Sequence, residues 1–183
     1  MVVIENLDLD RAVLVGHSMG GLVIVETAKL AANQIIGLVA VDVFFDLDGG
    51  FAMTPAETEE FLTPFVDDFV GATRRLVREG MFAPTSDSTL VARIVADMSS
   101  TAPEVAIALL REYIRWWTEP FDALALPLVA INSDMEPTNT VSLQRHGLTH
   151  VTMPRVGHFV MIEDPDTFNR LLAEAIEELQ GGN

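Results

Sequence analysis

Apolar residues fall along this chain in two rhythms. Two early runs are short and unbroken: Arg11-Ala-Val-Leu-Val15 stops at Gly16, and Gln34-Ile-Ile-Gly-Leu-Val-Ala-Val-Asp-Val-Phe-Phe45 shows no alternation. Runs of that kind read as strands buried on both faces of a parallel sheet. Between them, Met19 to Ala32 is built from small or helix-favouring residues, and Asn33 supplies a stop. Strand, helix and strand make a βαβ unit.

After Asp46-Leu-Asp-Gly-Gly50 the rhythm becomes helical. Thr54-Pro55-Ala56-Glu57 is a capping box with proline at the first helical position. Phe61, Leu62, Phe65, Val66, Phe69 and Val70 then repeat at helical spacing, as do Leu90, Val91, Ile94, Val95 and Met98. A further helix starting near Thr101-Ala-Pro-Glu104 places Leu109, Leu110, Tyr113, Ile114 and Trp117 on one side. The spacing thus predicts helix over most of 55–118.

A buried strand returns at Leu126-Pro-Leu-Val-Ala-Ile131, followed by the polar turn Asn132-Ser-Asp-Met-Glu-Pro-Thr138, and the last strand is expected at Thr149 to Met153. A short helix from Asn139 to His146 lies between them, and the loop Pro154-Arg-Val-Gly-His158 follows. Asp164 caps a last helix with Pro165 at its first position, a core face of Phe168, Leu171, Leu172, Ala175, Ile176 and Leu179, and Gly181 and Gly182 at its end. The expected fold is α/β: a mostly parallel sheet with helices on both faces, formed by 1–48 and 123–183, with a helical cap inserted at 49–122. Insertions of that kind usually cover a site.

Composition narrows the partners. Eleven Lys and Arg against 27 Asp and Glu leave a charge of −16, which repels phosphate backbones and anionic lipid and argues against nucleic acid. The acidity reads as a solubilising surface. With no cysteine, disulfides, thiolate metal sites and a cysteine nucleophile are excluded. The apolar stretch from Ala12 to Ala32 is too interrupted, by His17, Ser18, Glu26, Thr27 and Lys29, to span a bilayer, and the N-terminus lacks the features of a signal peptide. No membrane association is expected, and the cytoplasm is the default location.

Candidate chemistry gathers at Gly16-His-Ser-Met-Gly-Gly21, between the first strand and its helix. A serine hydroxyl is a poor nucleophile unless a base takes its proton, and its Oγ must project from the fold. In Gly-X-Ser-X-Gly the serine sits in a strained strand-to-helix turn, and Gly16 and Gly20 remove Cβ atoms that would collide there. The following helix points its first N–H groups at a developing oxyanion, with the Met19 amide as the expected donor. In this arrangement the acid and then the histidine come later in the chain. His17 lies inside the elbow and is expected to point away from the serine; His146 and His150 read as surface residues. His158, on the loop after the last strand, is therefore the candidate base. Two carboxylates share the turn before it: Asp134, close to the strand end, is favoured for its rigid placement, with Glu136 as the alternative. Asp42, inside the second strand run, is a third candidate, read rather as a buried, paired structural carboxylate.

Three motifs in this order resemble the α/β-hydrolase superfamily in its esterase-like branch with a helical cap. They are the elbow, Ile131-Asn-Ser-Asp134 with Pro137-Thr138 as an acid turn, and Val156-Gly-His158-Phe159 with Glu163-Asp-Pro165 as a histidine loop. The resemblance covers only the second half of the family pattern. Met1 to Asp10 looks like the tail of the helix that leads into the elbow strand, so the chain resembles a member truncated at its N-terminus. Four further strands, and the His-Gly loop that brings a second oxyanion donor, are then lacking. The Val13 to Val15 strand would lie on an open apolar edge, where a second copy could pair to form a homo-oligomer.

The resemblance implies hydrolysis of a small apolar carboxylic ester through an acyl-enzyme on Ser18; the scattered histidines and the lack of a His-Glu-X-X-His motif or a phosphate loop lysine lead to the expectation of no metal and no cofactor. Trp116, Trp117 and Phe159 are the expected substrate-binding residues. Carbon–carbon bond hydrolysis or perhydrolysis by the same residues, and an inactive hydrolase-like binding module, are the alternatives.

Overall fold

The computed structural model describes residues 2–49, 51–118, 121 and 126–181. Its strands are β1 (Ala12–His17), β2 (Ile35–Val41), β3 (Leu128–Ser133) and β4 (Leu148–Met153). They form one sheet in the order β1-β2-β3-β4 with every neighbouring pair parallel. Around it lie α1 (Val2–Asn6), α2 (Met19–Leu30), α3 (Pro55–Asp67), α4 (Phe69–Gly80), α5 (Ser88–Ser99), α6 (Pro103–Trp116), α7 (Thr140–Arg145), α8 (Val160–Glu163) and α9 (Pro165–Gly181).

The unbroken apolar run of β2 has a direct cause in the layers. Leu38 and Ala40 face one core, shared with Leu22, Val25 and Ala28 of α2 and Leu143 of α7. Val39 and Val41 face the other, shared with Phe168, Ala175 and Leu179 of α9. Successive side chains point to opposite faces, so a strand covered on both sides must be apolar at every position. α9 presses so close that a Cβ on Gly37 would meet Leu179 Cδ2 at 2.7 Å. β1 is an edge of the sheet among the described residues, and Val15 is 45% exposed there.

α3 through α6 stand between β2 and β3. Both capping-box bonds form at Thr54: its amide donates to Glu57 Oε2 at 2.8 Å, and the Glu57 amide donates to Thr54 Oγ1 at 3.3 Å. The apolar spacing from Phe61 to Val70 is not one helix. Asp68 closes α3 and caps α4, accepting from the Gly71 amide at 3.0 Å, while the Phe65 and Phe69 rings stay in contact across the break. α6 is capped at Ala102 without a side-chain bond, and Leu109 is exposed, so only its C-terminal end, with Ile114 and Trp117, is buried. The short α8 carries too few residues to show a period. The expected boundary between 122 and 123, and Gly182, lie outside the described residues.

Because all four strands are parallel, their C-terminal ends share one edge, and the segments leaving them converge there. Ser18 leaves β1, Asp42 leaves β2, Asp134 leaves β3, and the loop to His158 leaves β4.

Candidate active site

The β1 to α2 bend is built around two glycines. A Cβ on Gly16 would collide with the backbone oxygen of Gly20, and one on Gly21 would collide with the Val43 side chain. At Gly20 a Cβ meets nothing within 4 Å, so the second glycine sterically required is Gly21, not Gly20. Ser18 sits in the bend with φ 53° and ψ −126°, a conformation that costs a non-glycine residue energy and persists only where the surroundings impose it. Here the Ser18 amide donates to Val41 O at 2.9 Å, extending the β1–β2 ladder, and the Gly21 amide donates back to Ser18 O at 2.8 Å. The Ser18 side chain is not spent on capping α2. Met19, whose amide opens α2, is partly exposed.

Asp42 repeats this device one strand over. Its φ is 51°, and its amide donates to Ile131 O at 2.9 Å. The carboxylate is 3% exposed and bonded at both oxygens: Oδ1 accepts from the Ser133 amide at 2.5 Å, and Oδ2 lies 2.6 Å from His158 Nδ1. The chain beyond Asp42 is anchored by Asn132 Nδ2 donating to Phe44 O, the Asn139 amide to Phe45 O and the Leu47 amide to Ser142 Oγ.

The carboxylate facing His158 is therefore that of Asp42, where the turn after the third strand was expected to supply it. Asp134 is exposed, and its Oδ1 accepts from the Arg155 amide at 2.8 Å. Its own amide donates to Met153 O at 3.1 Å, so Asp134 ties together the turn that leads into the histidine loop. Glu136 is exposed on the same turn. The signal available in the sequence was an acid ending an otherwise apolar strand, beside a strand that ends in the elbow.

His158 is held by its main chain as well as its ring. Its amide donates to Met81 O at 2.8 Å at the end of α4, and its carbonyl accepts from His17 Nε2 at 2.8 Å. The preceding Gly157 amide donates to Glu163 Oε1 at 2.8 Å, while Ser86 Oγ donates to Glu163 Oε2 at 2.5 Å. A side chain at Gly157 would strike Met81 O, so the loop has no room to approach the cap in any other residue's form. His17 does not stand idle in the elbow: its ring centroid is 4.5 Å from that of His158 and 5.4 Å from that of Phe159. Burial, and then the neighbouring His158, lower the His17 imidazole to about 4, so it is neutral at pH 7.

Of the aromatic residues expected to line a substrate site, Phe159 lies beside His158 at 5.4 Å and stacks on Phe82 of the cap at 5.2 Å. Trp116 and Trp117 are elsewhere. Their rings pack around Phe44, and the Trp116 indole donates to Glu26 Oε1 at 2.9 Å. A cleft of about 530 Å³ bordered by Ser86, Arg93, Arg155 and Glu163 runs behind the histidine loop and takes in neither Ser18 nor His158. Among the described residues, no group of three or more His, Asp or Glu is placed to hold a metal ion, and no helix is long and apolar enough to cross a membrane.

A parallel sheet whose first described strand enters an elbow serine and whose last leads to a histidine bonded to a buried carboxylate is the architecture of a known group of hydrolases. The family model described as "Alpha/beta hydrolase family" matches residues 2–171, and the chain belongs to that family. Among solved structures, it is similar to olei00960, a hydrolase from Oleispira antarctica, with a TM-score of 0.77 and 16% identity over 98% of this chain and 68% of that one. It is also similar to Est816, described as an N-acyl homoserine lactone degrading enzyme, with a TM-score of 0.71 and 23% identity over 94% of this chain and 70% of that one. A thermophilic esterase from Thermogutta terrifontis gives a TM-score of 0.69 and 18% identity over 97% and 69%. A search of curated proteins found no match.

Proposed function

We propose that this chain hydrolyses small carboxylic esters through an acyl-enzyme on Ser18. The observation that carries this reading is the 2.6 Å contact between His158 Nδ1 and the buried Asp42 carboxylate, in a protein whose Ser18 is held at φ 53° in the bend after the neighbouring strand β1. With both oxygens engaged as acceptors, Asp42 accepts a hydrogen bond from His158 Nδ1–H, which keeps the proton on Nδ1 and leaves the Nε2 lone pair free to accept the proton of Ser18 Oγ. Attack on the ester carbonyl then gives a tetrahedral oxyanion facing the N-terminus of α2, where the Met19 amide is the donor. Nε2 returns the proton to the leaving alcohol, and water repeats the sequence on the acyl-enzyme.

Two features support esters as the class of substrate: the residue beside the histidine and the family. Phe159, half-buried beside His158 and backed by the buried Phe82, is apolar, and the similar structures include an esterase and an enzyme that degrades a lactone, which is a cyclic ester.

A fluorophosphonate probe tests the reading directly. Wild-type protein is expected to be labelled, Ser18→Ala to be blank, and His158→Ala to lose labelling while remaining folded. Folded wild-type protein that takes up no probe, or a Ser18→Ala variant that retains esterase turnover, would refute the assignment.

A further inference from the structure

The residue before the nucleophile touches the candidate base twice. His17 Nε2 lies 2.8 Å from the carbonyl oxygen of His158, and the two rings are 4.5 Å apart at 45°. A carbonyl only accepts, so Nε2 must carry a proton, which fixes the His17 tautomer with Nδ1 unprotonated as long as the ring is neutral. Neutrality has a chemical value at this distance. A second imidazolium beside His158 would oppose the positive charge that His158 acquires when it takes a proton from serine.

The geometry closes a loop of contacts. Asp42 holds the imidazole by Nδ1, Met81 O at the end of α4 holds the amide, and His17 holds the carbonyl. Only the last of these comes from the dipeptide that also carries Ser18, so it alone ties the spacing of nucleophile and base to a single hydrogen bond.

We propose that His17 is a positioning residue that sets the His158 imidazole against Ser18 by donating Nε2–H to the His158 carbonyl. This rests on the assignment of Ser18 and His158 for its catalytic consequence, though not for its structural one. Small displacements of a base cost catalysis steeply, whereas they leave the binding of substrate largely alone.

Two variants separate the hydrogen bond from the ring. His17→Phe keeps an aromatic ring and removes the donor; His17→Gln keeps a donor and removes the ring. The first readout is nuclear magnetic resonance of the His158 Nδ1 proton in the bond to Asp42, and the second is the probe-labelling rate at saturating and at limiting fluorophosphonate. His17→Phe is expected to broaden that proton by exchange and to slow saturated labelling about 10-fold with unchanged probe affinity. His17→Gln is expected to stay within about threefold of wild type on both counts. In wild-type protein, ¹⁵N shifts of His17 should show the proton on Nε2, a measurement that needs no variant to fold. The proposal is overturned by a proton on Nδ1, by His17→Phe behaving as wild type, or by both variants losing equally, which would make the contact one of packing. If wild type takes no probe yet the His158 proton follows the expected pattern, the positioning stands and the nucleophile assignment alone fails.

Discussion

Asp42 follows β2 and Asp134 follows β3, one strand apart at the same edge of the sheet, and their carboxylates do different work. Asp42 is buried, held at positive φ, and shared between the Ser133 amide and His158. Asp134 is exposed and bonded to the Arg155 amide, where it steadies a turn whose Arg155 itself has φ 64°. A carboxylate meant to orient an imidazole has to be immobile and shielded, because water would compete for the Nδ1 proton. The site next to the elbow strand satisfies both conditions. The turn after β3 satisfies neither for Asp134, and its role is to shape the path to His158.

The widest separation between the two aspartates is expected in activity. Asp42→Asn should lower the rate of probe labelling by about 10³-fold or more, because an amide can no longer orient the ring as a pure acceptor. Asp134→Asn keeps the acceptor oxygen for the Arg155 amide and should change the rate by less than about threefold. Equal losses in a side-by-side labelling assay would break the distinction.

Stability should separate them next. Asp42→Ala leaves the buried Ser133 amide and the partly buried His158 Nδ1 without their acceptor, at a cost of about 3 kcal/mol. Asp134→Ala exposes its one lost partner to water and should cost under about 1 kcal/mol. Urea unfolding of the two variants measures the difference.

The acid limb of stability sharpens the Asp42 side. Burial, and then the neighbouring His158, lower the folded His17 imidazole to about 4 against an ordinary 6.5, with the His158 carbonyl and Asp42 opposing the shift. The neutral ring is therefore favoured by folding: this contribution is complete above pH 6.5 and is lost as the pH falls from 6.5 towards 4. The loss is of order 2 kcal/mol after discounting for the part of the ring that solvent reaches. His17→Phe should flatten the fall in urea midpoint over that window, and an unchanged slope would assign the titration to other groups.

The smallest effect concerns the elbow that sets Ser18 beside Asp42. Gly20→Ala meets no atom within 4 Å and lies in α2, so a change of less than about 1 kcal/mol towards greater stability is expected. Gly16→Ala must displace the Gly20 backbone and should destabilise clearly more. Thermal melts that rank the two the other way would show that Gly16 is not the tight point of the bend.

Much of the fold was legible in the chain. Unbroken apolar runs marked β1, β2 and β3, a capping box marked α3, and the Asp164-Pro165 pair marked α9. These are local signals, set by what each residue does to its own backbone and to neighbours a few positions away. The break at Asp68 escaped because apolar spacing continues across it, and α8 because it is a single turn.

Ser18 and His158 could be proposed as candidates from sequence, since glycine spacing and chain order are properties of the chain itself. The partner of that histidine could not be singled out. Asp42 lies 116 positions from His158 and directly after the apolar β2, within an apolar run where a carboxylate looks like a structural exception. Only the register of β1 against β2, with His17 opposite Val41, puts the residue after each strand side by side. Parallel pairing is a non-local choice, made by which faces the helices cover, and it decides which carboxylate the imidazole meets.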